Sequence, residues 1–231
     1  VVKFISENAP RTNNKTKGRR GILKVGQITG TDPSDGRLAK NSRLPQARAV
    51  ILVGFMGAGK STVGRVLAKQ LGWTFEDLDD RIEQREKQSV AQIFRDAGEA
   101  EFRRAEHEAL KELLNELCSG CEKVIALGGG AFIDQSNIRL IEAANLPTIF
   151  LDAAAEELRT RCQQQAEERG TERPLLGSPE GFRELYEERR PHYLAASLRQ
   201  ETSGKEVGEI ASNLIRVLGL SRRRGDEEKT Q

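Results

Sequence analysis

Glycines at 54, 57 and 59, followed by Lys60, Ser61 and Thr62, are the residues of this chain best suited to chemistry. The order G-x-x-G-x-G-K-S lets a backbone curl until several N–H groups face one anion. A lysine at the end of such a loop reaches the terminal phosphates of a nucleotide, and the adjacent serine hydroxyl can ligate magnesium. Gly57, Ala58, Gly59, Lys60, Ser61 and Thr62 therefore form a candidate cradle for a nucleoside triphosphate. A plain strand-to-helix turn would use the same glycines, but it has no need of the Lys-Ser ending.

Four further groups bear on what such a phosphate could meet. Asp77 and Asp79 are alternate residues; one can hold magnesium while the other takes a proton from a substrate hydroxyl. Arg103 and Glu106 are three apart and share a helix face, so the guanidinium can fork onto a carboxylate while Glu106 orients it. Gly128, Gly129 and Gly130 allow backbone N–H groups to approach a ligand closely. Arg173, before Pro174, and Arg189 and Arg190, before Pro191, are cations for phosphate or carboxylate. Taken singly, these segments also fit a turn aspartate, a surface ion pair, a flexible turn and solvated arginines.

These groups need elements to hold them. The apolar run Ala49–Val53 predicts a buried strand before the loop, and Val63, Val66, Leu67 and Leu71 predict a helix after it. Further strands are expected over 74–79, 123–127, 148–151 and, weakly, 198–202. Helices are expected from Ser89, with Gln92 completing a capping box, from about Glu99 after a break at Gly98, and around 138–141, 154–164, 179–195 and 205–219. Strands alternating with helices imply a mostly parallel sheet covered on both faces, with ligands at the carboxyl ends of the strands.

In order along the chain stand the phosphate loop, D-x-D, G-E-x-x-F-R-x-x-E, G-G-G, R-P-L-L and R-x-P-x-Y. Together these motifs resemble those of the shikimate kinases, over about residues 50 to 217. The resemblance implies a P-loop, nucleoside-monophosphate-kinase-like α/β fold with a five-stranded parallel sheet and a mobile lid. It implies transfer of the γ-phosphoryl of ATP to the 3-hydroxyl of shikimate, in aromatic amino-acid biosynthesis, with Mg2+. By position, Gly57 to Thr62 would cradle ATP, with Ser61 and Asp77 serving the metal and Asp79 contacting shikimate as candidate base. Arg103 and Arg189 would clamp the shikimate carboxylate, aided by Glu106 and Gly128 to Gly130. Arg173, on the lid between about 161 and 176, would reach the phosphates. The family arginine lies two before the proline, which selects Arg189 and turns Arg190 elsewhere. The lid stretch 162–172 is longer and more polar than the family pattern, and the adenine-contacting region keeps only Lys205, with Arg161 as another adenine neighbour.

Composition sets the outer limits. With 231 residues, 37% hydrophobic and 31% charged, the chain suits one α/β domain with tails. No apolar stretch approaches the ~20 residues of a membrane span. Three cysteines make no disulfide framework, so a cytoplasmic location is expected. Residues 1–49 hold eleven Lys/Arg against three Asp/Glu, a balance of +8, so the whole chain's +2 leaves −6 for the rest. The reading is a basic, disordered extension over 1–48, a kinase-like domain over 49–219 and a charged tail over 220–231. A transit peptide and a nucleic-acid tether are the other readings of the basic arm, although it lacks the aromatic residues that would favour nucleic acid. ATP and shikimate are the expected partners, with no nucleic acid or membrane, and the protein is expected to be a monomer. Cys118 and Cys121 supply only two ligands of a zinc site, His107 is expected on a helix surface, and Trp73 is expected in packing. The rivals are a kinase for another polyhydroxy acid, such as gluconate, and a binding protein that has lost catalysis. Lys60, Asp79 and Arg173 are all intact, which argues against the latter.

Overall fold

The computed structural model describes residues 47–117, 120–169 and 177–221. Its five strands are β1 (Ala49–Val53), β2 (Thr74–Asp77), β3 (Lys123–Ala126), β4 (Thr148–Asp152) and β5 (Leu198–Glu201). They form one sheet in the order β2-β3-β1-β4-β5, and every pairing is parallel. β1, β3 and β4 are buried along their whole length. That matches their near-continuous apolar runs, as expected of central strands covered on both faces. The edge strands β2 and β5 are mixed in burial. Lys123, at the start of β3, is buried because its ammonium is neutralised by Glu76 at 3.1 Å and Glu116 at 2.6 Å.

The helices are α1 (Lys60–Leu71), α2 (Leu78–Glu86), α3 (Val90–Asp96), α4 (Gly98–Glu116), α5 (Gln135–Ala144), α6 (Ala155–Arg169), α7 (Pro179–Tyr193) and α8 (Val207–Leu218). α1 packs against α8 and over β2 and β3; α2, α3 and α4 pack on one another, and α6 packs on α7. The Ser89 hydroxyl accepts from Gln92 N, and the Gln92 side chain accepts from Ser89 N, so the expected capping box starts α3. Because every strand runs the same way, Gly54, Asp77, Leu127 and Asp152 all leave the sheet at one edge. β1 lies between β3 and β4, where the chain changes the side on which it adds strands, and a crevice opens at such a point.

Two elements differ from the sequence expectation. The second strand stops at Asp77, and Asp79 lies in the first turn of α2. Asp77 is the N-cap: its Oδ1 accepts from Asp79 N at 3.1 Å, which starts a helix where alternation alone would continue a strand. α2 escaped notice because only Leu78 and Ile82 are buried on it. The helix expected over 154–164 runs on to Arg169, so the polar stretch from Cys162 assigned to the lid is helical as far as it is described. Gln, Ala, Glu and Arg are good helix formers, and no Gly or Pro interrupts them before Gly170. Arg173 and its R-P-L-L segment, Cys118, residues 1–46 and residues 222–231 lie outside the described residues.

Candidate active site

The loop between β1 and α1 is held from below by an aromatic anchor. Phe55 is fully buried and meets Phe182 and Tyr186 of α7 edge-on, with ring centroids at 5.2 and 5.6 Å. Gly57 has φ +78°, and a Cβ there would lie 2.5 Å from the Leu158 carbonyl and 2.8 Å from Cys162 Sγ of α6. Only glycine meets both conditions. Lys60 Nζ donates to the carbonyls of Gly54 at 2.8 Å and Phe55 at 3.1 Å, so its ammonium is folded back along the loop. The first turn of α1 follows at once, with its N–H groups aimed out of the loop. Thr62 is exposed.

Ser61 Oγ donates to Asp77 Oδ2 at 2.6 Å, which ties the start of α1 to the end of β2. Ser61, Asp77 and Asp79 offer hard oxygens of the type magnesium prefers. Among the described residues no three His, Cys, Asp or Glu side chains converge on a metal site. A cation here would therefore draw its remaining oxygens from a bound phosphate or water, as magnesium in nucleotide sites does.

Asp79 stands beside this pair. Burial pushes its carboxyl up to about 6, the Asp77 charge adds to the rise, and Lys60 pulls against it. Asp79 Oδ1 lies against the backbone after β3, because a Cβ on Gly128 would be 2.7 Å from it and 3.3 Å from Glu106 Oε1. Glu106 is 1% exposed, and burial raises its carboxyl as well. Its Oε2 accepts from Arg103 Nη1 at 2.8 Å, whereas its Oε1 has no partner among the described residues. A buried acceptor left without a donor costs about 1–3 kcal/mol.

The other two glycines meet the two expected guanidinium groups. A Cβ on Gly129 would lie 3.7 Å from Arg189 Nη1 and 3.8 Å from the Tyr193 hydroxyl. A Cβ on Gly130 would overlap Arg103 Nη1, at 2.5 Å. Tyr193 is fully buried and donates its hydroxyl to the Gly129 carbonyl. Burial pushes this phenol up to about 12, so it remains a donor. Arg103 also reaches Glu99 at 3.3 Å and lies over the Phe102 ring at 5.1 Å. Phe102 in turn stacks on Phe94, a residue of α3 that is 39% exposed. Side chains from α2, α4 and α7 thus converge on three consecutive glycines.

Arg190 turns away from this pocket, as its spacing implies: its Nη2 meets Asp152 Oδ2 at 2.9 Å. Arg161 donates to the hydroxyl and carbonyl of Thr202, at 3.3 and 3.1 Å, and to Glu157. It therefore lies at the β5 end of the sheet edge, while Lys205 is exposed just beyond. His107, expected on a surface, is instead half-buried, with Nδ1 at 2.9 Å from Asn137 Oδ1. Trp73 is buried in the core. Phe94, the Phe55 anchor and the buried Asp152 were not legible in the sequence, and Phe102 was legible only as a motif residue on a helix. Each is an ordinary helix, loop or strand residue until the fold shows what it touches.

Comparison with known proteins points to one family. The family model described as Shikimate kinase matches residues 56–219. A shikimate kinase from Geobacter sulfurreducens is 40% identical over 185 residues, covering 79% of this chain and 91% of the relative. One from Persephonella marina is 37% identical over 169 residues, covering 73% and 97%. Among solved structures, shikimate kinase from Acinetobacter baumannii in complex with shikimate superposes with a TM-score of 0.65 at 32% identity, covering 74% of this chain and 92% of that one.

Proposed function

The chain belongs to the shikimate kinase family and is an enzyme of that type, and on this premise we propose how its residues carry the reaction. ATP sits with its phosphates in the loop from Gly57 to Thr62, and shikimate sits against Gly128 to Gly130. Asp79 takes the proton of the 3-hydroxyl as that oxygen attacks the γ-phosphorus. The bond from the γ-phosphorus to the β,γ-bridging oxygen breaks, and ADP and shikimate 3-phosphate leave. A carboxyl held near 6 suits this step: it is mostly ionised at neutral pH yet basic enough to accept a proton.

The observation that carries the reading is the glycine run itself. Its three residues abut Asp79, then Arg189 with Tyr193, then Arg103. A ring placed there has a base near one hydroxyl and two guanidinium groups near a carboxylate. The unpartnered Glu106 Oε1 accepts from a second ring hydroxyl, and Phe94 with Phe102 gives the ring an apolar wall. Tyr193 fixes the Gly129 carbonyl, so the backbone of the run keeps its shape.

Ser61 and Asp77 would hold Mg2+, whose charge offsets that of the phosphates in the transfer. Lys60 swings from the Gly54 and Phe55 carbonyls to the phosphate oxygens. Arg173 adds a further cation from the segment after α6, and Arg161 with Lys205 borders the adenine. Arg161 is already fixed by Thr202 and Glu157, so it offers its guanidinium plane as a surface for stacking. The reading includes a cytoplasmic setting, supported by the low cysteine content.

The test is ATP turnover coupled to ADP detection, with shikimate and with gluconate as acceptors. Shikimate-dependent turnover yielding shikimate 3-phosphate is expected. Preferential turnover of gluconate, or dependence on neither acid, would overturn the reading.

A further inference from the structure

α7 presents two adjacent stripes to the rest of the molecule. Residues four apart share a helix face, and successive residues are turned by roughly 100°. Tyr186 and Arg190 make one stripe, and both end on Asp152. Arg189 and Tyr193 make the other, and both border Gly129. The helix is therefore fixed to the sheet by one face while it offers the neighbouring face to the pocket.

Asp152 is the last residue of β4 and is 2% exposed. Its Oδ1 accepts from the Tyr186 hydroxyl at 3.0 Å. Its Oδ2 accepts from Arg190 Nη2 at 2.9 Å and from Arg199 Nε of β5 at 2.8 Å. The Tyr186 hydroxyl also donates to the Ala153 carbonyl at 3.0 Å, so it would keep a partner without Asp152. Arg190 also meets the Tyr186 hydroxyl, but Tyr186 is on the same helix, so among the described contacts Asp152 is what ties Arg190 to the sheet. Arg199 belongs to the sheet and does not touch α7 through this carboxylate.

We propose that Asp152 and Arg190 are a positioning pair, which sets the rotation of α7 and thereby the placement of Arg189 against Gly129. Neither residue touches substrate. The pair also keeps a second guanidinium out of the pocket: with its carboxylate gone, Arg190 would keep only the Tyr186 hydroxyl and could swing toward the acceptor anion and compete with Arg189. This inference rests on the reading of Arg189 as an acceptor-carboxylate ligand.

The test compares steady-state kinetics of Arg190→Gln, Arg199→Gln, Asp152→Asn and Arg189→Lys, each checked for its melting temperature. Arg190→Gln is expected to raise the shikimate KM about tenfold with the ATP KM within about twofold, since small displacements of a positioning group are costly. Arg199→Gln removes a bond of the same kind to the same oxygen and is expected to leave the shikimate KM unchanged. Asp152→Asn should act like Arg190→Gln, if it folds. Equal effects of Arg190→Gln and Arg199→Gln, or none from Arg190→Gln, would overturn the positioning role. The Arg189→Lys arm separates the two ideas. If it leaves the shikimate KM unchanged, the ligand assignment itself fails. If it raises that KM while Arg190→Gln does not, only the positioning pair falls.

Discussion

The two halves of the proposed site are built in opposite ways. The donor half is local: nine consecutive residues from Gly54 to Thr62, running from the end of β1 into the first turn of α1, shaped by glycines and closed by bonds within five or six residues, such as Lys60 to the Gly54 and Phe55 carbonyls. The acceptor half is dispersed. Asp79, Arg103, Gly128 to Gly130 and Arg189 come from four segments and meet only because the strands are parallel and end together. A local site is made by backbone conformation and needs few neighbours. A dispersed site needs every supporting helix in register. The acceptor half should therefore be more easily disturbed from a distance than the donor half.

The largest expected effect comes from the residue between the halves. Asp79→Asn should cut kcat by about 10²–10⁴ while leaving the ATP affinity within about twofold, because the amide cannot take the proton. Near-normal turnover would remove Asp79 from the base role. The halves should next separate under single methyl groups. Gly130→Ala drives a methyl into Arg103 and should raise the shikimate KM by about 10², with little change for ATP. Gly57→Ala meets the Leu158 carbonyl at a positive φ and should do the reverse. If each substitution disturbed both substrates equally, the division into halves would not stand.

A smaller effect concerns stability. Asp79 binds its proton more tightly in the folded protein, its carboxyl being raised from the usual 3.8 to about 6. Below 3.8 the carboxyl is protonated in both states and costs nothing. As pH rises from there to about 6 the folded state loses stability, and above that the full cost of the buried charge is present. Asp79→Asn should thus stabilise the protein by about 1–3 kcal/mol at pH 7, and the gain should shrink toward pH 4. Denaturant melts at both pH values check this, and a pH-independent difference would rule out the titration as its cause. The mildest change is Arg103→Lys. An ammonium cannot fork onto a carboxylate or bridge Glu99 and Glu106 as the guanidinium does, so a rise of about tenfold in shikimate KM is expected at unchanged kcat. An unaltered KM would argue that Arg189 alone holds the acid.

Much of this was legible before any coordinates. The continuous apolar runs marked the central strands β1, β3 and β4, because buried parallel strands need such sequence, while the mixed edge strands β2 and β5 were placed by their alternation with helices. Gly98 and the Ser89 capping box marked helix ends, because those signals are local. One misreading fell where two local signals competed. At Leu78 an apolar residue between aspartates continued a strand pattern, while the Asp77 cap started a helix. At Gln165 to Arg169 the helix ran past its expected end at 164, because residues of high helix propensity continue it.

What the sequence determined by itself is the donor loop, since its geometry follows from residue types at fixed spacing, and the family that its ordered motifs resemble. The tertiary structure alone decided which glycine meets which side chain, that Glu106 keeps an oxygen without a donor among the described residues, and that Arg190, already expected to turn elsewhere, ends on Asp152. Those facts depend on contacts between residues far apart in the chain. Side-chain direction there is set by helix rotation and strand register, and neither is written in the residues themselves.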